Sequence, residues 1–321
     1  MSMAQTTEIL DLSSPIFTNE DAARAHIEAT RWPNGPYCPY CGVFEGVKAL
    51  KGESMGPGWY HCRDCRKKFT VRVGTVYERS HIQLHKWLQG FRLYASSKKG
   101  FSAHQLHRTL GITYRSAWFM AHRIREAMRE GDPEPLGGKD KVVEADETFI
   151  GKPNQVFVNG RGWVTVDAYH GKQKVIALVE RGGRSRAVHV GQLDAHTIRK
   201  VLGENVVLDS TLHTDEAMHY KRPGRAFAKH ESITHSAGEY ARGDVTTNTV
   251  EGYFSIFKRG MKGIYQHCGE QHLQRYLDEF NFRYSNRSAL GIEDAERTTR
   301  AIKGATGKRL TYRRVNKRKV A

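Results

Sequence analysis

No apolar run in this 321-residue chain approaches the roughly 20 residues that cross a bilayer. The opening MSMAQTTEILDLSSP lacks the basic-then-apolar pattern of a secretory leader. Both absences point away from membrane and export, towards the inside of the cell. Internal repeats are missing, which sets aside solenoids and propellers. Acids are in deficit: 34 Asp and Glu face 51 Lys and Arg, a formal net charge of +17. That excess is far more than solubility needs, and its physical reading is a polyanionic partner. Cysteine is scarce as well, with five in all. Four of them stand in two tight pairs, a pattern that suits a metal site in a reducing compartment better than disulfides.

Those pairs are Cys38-Pro39-Tyr40-Cys41 and Cys62-Arg63-Asp64-Cys65, separated by twenty residues. Two such knuckles across a hairpin-length insert place four thiolates at the corners of a tetrahedron, the arrangement structural Zn²⁺ prefers. Gly52, Gly56, Pro57 and Gly58 supply turns, Trp59-Tyr60-His61 leads into the second knuckle, and residues 66–73 alternate basic and apolar side chains. Arg63, Arg66, Lys67 and Lys68 make this ribbon a candidate DNA contact, with a solvated basic face as the alternative. Before it, residues 1–37 hold five acids and two Lys/Arg, and Asn19 to Glu28 reads as a short capped helix without an assignable task.

Residues 79–130 read as helical throughout. Ser102 can cap a helix over Ala103–Leu110, Gly111-Ile112-Thr113 makes a turn, and Tyr114 to Met128 forms a second helix. This is helix-turn-helix spacing, with Thr113, Tyr114, Arg115 and Ser116 heading the helix that would face base edges. Trp118, Phe119 and Met120 are assigned to the core. The same spacing also occurs in helical hairpins that bind no nucleic acid.

The run Gly131 to Gly138 reads as a linker. After it, strands are expected at Lys141–Ile150, Gly162–Ala168, Lys174–Val179 and Arg186–Val190, a helix at Asp194–Leu202, and a buried strand at Asn205–Leu208 ahead of His213-Thr214-Asp215. Consecutive strands followed by alternating helix and strand fit a ribonuclease-H-like α/β domain, a mixed sheet with flanking helices. Asp244 to Tyr265 reads as an amphipathic helix carrying Glu251, with Asn248 one turn before it and Lys258 two turns after it on the same face. From Arg300 to the end there are nine Lys or Arg and no acid, which reads as a mobile basic tail touching phosphates without sequence preference, or serving solubility alone.

Cutting or joining a phosphodiester needs an activated nucleophile and a stabilised leaving oxygen. Two Mg²⁺ ions about 3.5–4 Å apart supply both, held by hard carboxylate oxygens from separated segments. Asp146, Asp215 and Glu251 are the acids that such a fold brings together. Each competes with a bland role: Glu144 and Glu147 flank Asp146 and any of the three could face solvent, and Asp209 and Glu216 stand near Asp215. His213 and His235 could assist or contact DNA, or serve as ordinary hydrogen-bonding residues. Cys268 reads as a single, partly buried thiol.

The paired knuckles, SKKGFSAHQLHRTLGITYRSAWFMAHRIREAM, EADETFIGK, HTDEAMHY, TNTVEGYFSIFKRGMKGIY and HLQRYLDEFNFRYSNR occur in that order between about Arg31 and Arg287. Together they resemble the zinc-ribbon-bearing DDE transposases of bacterial insertion sequences, the ISXO-like group. The resemblance implies binding of terminal inverted repeats, cleavage dependent on Mg²⁺ (or Mn²⁺), and strand transfer by the freed 3′-hydroxyl. It also implies a homodimer holding two double-stranded ends in the synaptic complex, at the nucleoid in the cytoplasm. By motif the catalytic set is Asp146, Asp215 and Glu251, with Lys258 downstream. The group varies at the third position, where asparagine has been assigned, so Asn248 is the alternative to Glu251. A carboxylate holds Mg²⁺ better than a neutral amide, which favours Glu251. The expected organisation is a helical segment (1–30), a zinc ribbon (31–75), a helix-turn-helix region (79–130), the catalytic domain (139–290) and a basic tail (297–321). A DNA-binding regulator without catalysis, and a nuclease without strand transfer, are the competing functions.

Overall fold

The computed structural model describes residues 11–52, 55–151, 154–167 and 171–311. The chain divides into two units, one built from residues up to 97, 101–129 and from 294 on, the other from 98–100 and 130–293.

In the first unit, Pro15–Thr18 (α1) and Glu20–Arg31 (α2) precede a ribbon of three antiparallel strands, Val47–Ala49 (β1), Trp59–Cys62 (β2) and Lys68–Thr70 (β3). The Asn19 side chain caps α2 by accepting the backbone N–H groups of Asp21 and Ala22. Three helices follow, Leu84–Ser96 (α3), Ala103–Leu110 (α4) and Tyr114–Met128 (α5). Ser102 and Gln105 close a reciprocal capping box on α4, and Gly111 ends it in the left-handed conformation, φ 59°. Met120 is buried, while Trp118 and Phe119 are only partly so, with the Arg123 guanidinium 4.4 Å from the Phe119 ring centre.

The expected mobile tail is folded as far as the described residues reach. Asp294–Lys303 is a helix (α10), and its Thr298, Ala301 and Ile302 are buried in this unit. Arg297 donates to the Ala95 carbonyl, Arg309 pairs with Glu78, and Arg123 donates to the Leu310 carbonyl. The basic residues from 312 onward lie outside the described residues.

In the second unit, five strands order as Lys229–Ser232 (β10), Thr211–Thr214 (β9), Val142–Ile150 (β4), Gln173–Glu180 (β7) and Ser185–Val190 (β8). The chain-first strand β4 is central. It pairs antiparallel with β7, β7 pairs antiparallel with β8, and β9 and β10 continue on the other side in parallel. That order and polarity make the sheet ribonuclease-H-like. Strand β7 shows why the sheet needs helices on both faces. Its Val175, Ala177 and Val179 join one core with Val250, Tyr253, Phe257 and Phe280, whereas Ile176 and Leu178 join the other with Ile198, Leu202 and Tyr220. The covering helices are Asn248–Gly260 (α8) and Leu273–Ser285 (α9) on the first face, and Ala195–Asn205 (α6) and Met218–Gly224 (α7) on the second.

Two strand expectations change. The strand expected at Gly162–Ala168, of which Ala168 lies outside the described residues, is not in the five-stranded sheet: Gly162–Asp167 (β6) pairs with Asn154–Val158 (β5) as a separate two-stranded hairpin inserted between β4 and β7. The apolar run at 205–208 is not the fourth strand either. Asn205 ends α6 with its side chain on the Val201 carbonyl, and β9 starts at Thr211. Four apolar residues after a helix satisfy a strand pattern and a helix end equally well.

Candidate active site and metal centre

Within the ribbon, the sulfurs of Cys38, Cys41, Cys62 and Cys65 all lie within 4.8 Å of one another. Cys38 and Cys65 are 3.5 Å apart, and Cys41 and Cys62 3.6 Å. A tetrahedron with Zn–S bonds of about 2.3 Å has S···S edges of about 3.75 Å, so the four residues fit Zn²⁺ with no position left open. The knuckle turns are equivalent: Gly42 follows one pair at φ 80° and Arg66 the other at φ 56°. Burial opposes ionisation of Cys38, but the backbone N–H groups of Tyr40 and Cys41 and the adjacent thiols outweigh it and bring the thiol down to about 7. Arg63, Arg66, Lys67 and Lys68 are all exposed around this centre, with the Lys67 ammonium 4.6 Å from the Tyr40 ring centre.

At the head of α5, the Thr113 hydroxyl accepts the Ser116 backbone N–H and donates to the Ser116 hydroxyl. Those two side chains are therefore engaged in the cap. Tyr114 and Arg115 are exposed, and Tyr114 stacks on His104 at 4.3 Å.

The acids of the second unit are placed by strand register. Strands β4 and β9 pair Val142 with Thr211, Val143 with Leu212 and Glu144 with His213. Extending that register by two residues sets Asp215 beside Asp146, on neighbouring strands about 4.8 Å apart. Glu251 comes from the first turn of α8. Burial, then the charges of Glu147, Asp215 and Glu251, push the Asp146 carboxyl up to about 7, against a backbone hydrogen bond from Glu147. The three acids thus lie within electrostatic reach of one another. Among the described residues the four cysteines are the only group of three or more His, Cys, Asp or Glu whose ligand atoms gather closely enough to hold a metal ion as they stand.

Asn248 is the first residue of α8 and exposed. Lys258 is exposed near the other end, its ammonium 5.7 Å from the Phe254 ring centre. His235 Nε2 lies 3.4 Å from a Glu251 carboxylate oxygen and 3.2 Å from the Thr247 hydroxyl, which itself donates to Glu251. Glu216 holds the His235 turn by accepting the backbone N–H groups of His235 and Ser236, and its own backbone N–H, then these two bonds, bring its carboxyl down to about 2.

Sequence reasoning allowed Glu144 only a competing, solvent-facing place beside Asp146, and the structure differs. Glu144 is fully buried and accepts the backbone N–H groups of Thr249 and Val250 and the Thr249 hydroxyl. Arg181 donates to the same carboxylate at 2.7 Å and also to the carbonyls of Asp244 and Thr246. A buried carboxylate on the first turn of a helix satisfies orphan amides and complements the helix dipole. Here it ties the start of α8 to β4, two residues from Asp146. The signal was available: Glu144 and Asp146 share one strand face by the period of two. Glu147 faces the other way, accepting from the Tyr220 hydroxyl at 2.8 Å, with His219 at 3.2 Å. Burial of His213, with Arg181 beside it, holds that imidazole below its ordinary range. Cys268 is partly buried.

Among the described residues no helix is long and apolar enough to cross a membrane. Residues 135–285 match the ISXO2-like transposase domain and residues 18–68 the transposase zinc-ribbon domain. The chain is 28% identical over 284 residues to an uncharacterized protein in transposable element ISH50 of Halobacterium salinarum, covering 83% of this chain and 91% of that protein. Among solved structures, the Mos1 transposase paired-end complex with left transposon end aligns at 13% identity and a TM-score of 0.29, over 67% of this chain and 74% of that one. A simian T-cell lymphotropic virus intasome in complex with PP2A regulatory subunit B56 gamma gives 13% identity and a TM-score of 0.29, over 55% of this chain and 63% of that one, less than two thirds of the viral chain's length. Superpositions that loose carry no weight for function. The two sequence matches, each falling on the unit that has the corresponding fold, are specific: residues 135–285 are an ISXO2-like transposase domain and residues 18–68 a transposase zinc ribbon.

Proposed function

We propose that this transposase binds the terminal inverted repeats of an insertion sequence and catalyses metal-dependent cleavage and strand transfer by a two-metal mechanism. The observation that carries the reading is the convergence of Asp215 and Glu251 on a partly buried Asp146, whose carboxyl is pushed up by burial first and then by the charges of Glu147, Asp215 and Glu251. Like charges gathered at a partly buried point are costly unless a cation joins them. Asp146, Asp215 and Glu251 would hold Mg²⁺ or Mn²⁺, with Asn248 as the alternative third ligand. Bound there, the ions would activate the attacking oxygen and stabilise the leaving 3′ oxygen.

The protein's own part is placement. Glu144 and Arg181 fix the first turn of α8 against β4, and so fix Glu251 relative to Asp146. Thr247 and His235 restrain the Glu251 carboxylate. Lys258 offers an ammonium to a DNA phosphate. In the other unit Tyr114 and Arg115, with Thr113 and Ser116 shaping the helix start, would face base edges. Arg66, Lys67 and Lys68 would meet phosphates, giving register without sequence information. Double-stranded DNA is the partner, and a homodimer would hold two ends.

The test uses a supercoiled plasmid carrying the inverted repeats that flank the coding region, incubated with Mg²⁺. Wild type should nick it and give joined products, and Asp146→Ala should do neither. Full activity in Asp146→Ala, or cleavage unchanged when divalent metal is withheld, would overturn the assignment. Nicking without joined products would leave a nuclease.

A further inference from the structure

Outside the β5–β6 hairpin, the second unit exposes three large apolar side chains among the described residues: Leu208, Met218 and Tyr240. Two of them border the acids. Met218 follows Asp215 by three residues. Tyr240, 68% exposed, lies against the His235 ring, with ring centres 5.6 Å apart. His235 Nε2 is in turn 3.4 Å from a Glu251 carboxylate oxygen. The two contacts place the tyrosine ring within about 10 Å of that carboxylate, or about three base steps of a duplex.

The loop that carries Tyr240 is braced on both sides. Glu216, next to Asp215, accepts the backbone N–H groups of His235 and Ser236. Gly238, at φ 76°, closes the turn by donating to the His235 carbonyl. The Glu239 carboxylate accepts the Thr234 N–H at 2.9 Å. Arg242 donates to the Ser232 carbonyl at 3.1 Å and exchanges backbone hydrogen bonds with Val245. None of these bonds involves the tyrosine side chain, so the frame holds an aromatic ring in water beside the acids. A tyrosine that served folding would bury its ring. Every nucleobase has a π-face on which such a ring can stack. Inside an uncut duplex both faces of each base are already stacked on neighbours. A break frees one face of the terminal base, next to the 3′-hydroxyl. A ring on a preset loop meets that face at little ordering cost.

We propose that Tyr240 caps a cut DNA end, its ring stacking on the terminal base whose 3′-hydroxyl lies at the acids. The proposal rests on the reading of those acids as the DNA-cutting site, but its test needs no cleavage. In an Asp146→Ala background without Mg²⁺, binding is measured to two fluorescent duplexes carrying the inverted repeat that flanks the coding region. One continues into flanking DNA, and the other ends at the repeat with a free 3′-hydroxyl. The cut end should bind about tenfold more tightly, the order of one stacked base. A cut end with an abasic terminal nucleotide keeps phosphate and hydroxyl without the ring, and should bind like the continuous duplex. Tyr240→Ala should abolish the preference while binding the continuous duplex as before. Tyr240→Phe, which keeps the ring, should retain it. Tyr240 is exposed, so folding is not at stake, and melting temperature checks it. Equal affinity for cut and continuous duplex would overturn the proposal. So would a preference that survives Tyr240→Ala or the abasic end, or one that Tyr240→Phe loses. Failure of the catalytic reading would register separately, in the plasmid assay.

Discussion

Glu144 and Thr249 are joined twice: the carboxylate accepts the Thr249 backbone N–H at 2.7 Å and its hydroxyl at 2.9 Å. They come from β4 and α8, so the pair couples two chain segments that each bring a candidate metal ligand. The coupling makes Glu144 a positioning residue for the proposed site. Glu144→Ala leaves Arg181 and two helix amides without their buried acceptor, a loss of about 3–5 kcal/mol. Cleavage of plasmid should fall about 100-fold through misplacement of Glu251. Glu144→Gln keeps one acceptor oxygen and should lie between. A Glu144→Ala protein with wild-type melting temperature and rate would remove Glu144 from this role.

Acidity should govern metal binding through Asp146. Its carboxyl is raised to about 7, so between pH 4 and 7 the folded protein holds a proton that the unfolded chain has lost. Stability from this group is therefore present at low pH and lost as pH rises through 7, in metal-free protein. Mg²⁺ should reverse the trend, raising the melting temperature more at pH 8 than at pH 6. Asp146→Asn should flatten both dependences, as read by thermal shift across pH.

The third ligand separates by single substitutions. Glu251→Ala should reduce Mg²⁺-dependent cleavage by about 1000-fold, in the range for loss of one electrostatic group at a reacting centre. Asn248→Ala, at an exposed first position of α8, should keep activity within about tenfold, the cost of a weakened helix start. The opposite ranking would transfer the role to Asn248.

Zinc should be stoichiometric and structural. Elemental analysis should give one Zn²⁺ per chain, and Cys62→Ser should lower that content sharply along with the melting temperature. Metal binding in such ribbons supplies about 10–16 kcal/mol towards folding at neutral pH. Undiminished zinc in Cys62→Ser would place the metal elsewhere.

Much of this was legible in the residues, and the exceptions share a cause. The two cysteine knuckles and the Gly111 turn are local signals, set by spacing and by one residue's freedom at positive φ. The acids proposed to hold metal were named from motif order. What spacing could not carry was side-chain direction across long separations: Glu144 sits 105 positions from Thr249, and only the register of β4 against its neighbours turns it inward. The hairpin β5–β6 was half seen, because alternation marks a strand without saying which sheet it joins. The basic tail was read from charge, which says nothing of the buried face of Thr298, Ala301 and Ile302.

That last helix also sets an order of manufacture. The first unit draws on both ends of the chain, with the whole catalytic unit between them. Helix α10, whose Arg297 reaches the Ala95 carbonyl, is synthesised after the second unit. On the ribosome the first unit therefore waits, its α3 surface uncovered, until the second unit has emerged. A fragment ending near residue 130 would be missing a wall rather than a tail, so premature termination there would leave the α3 surface open.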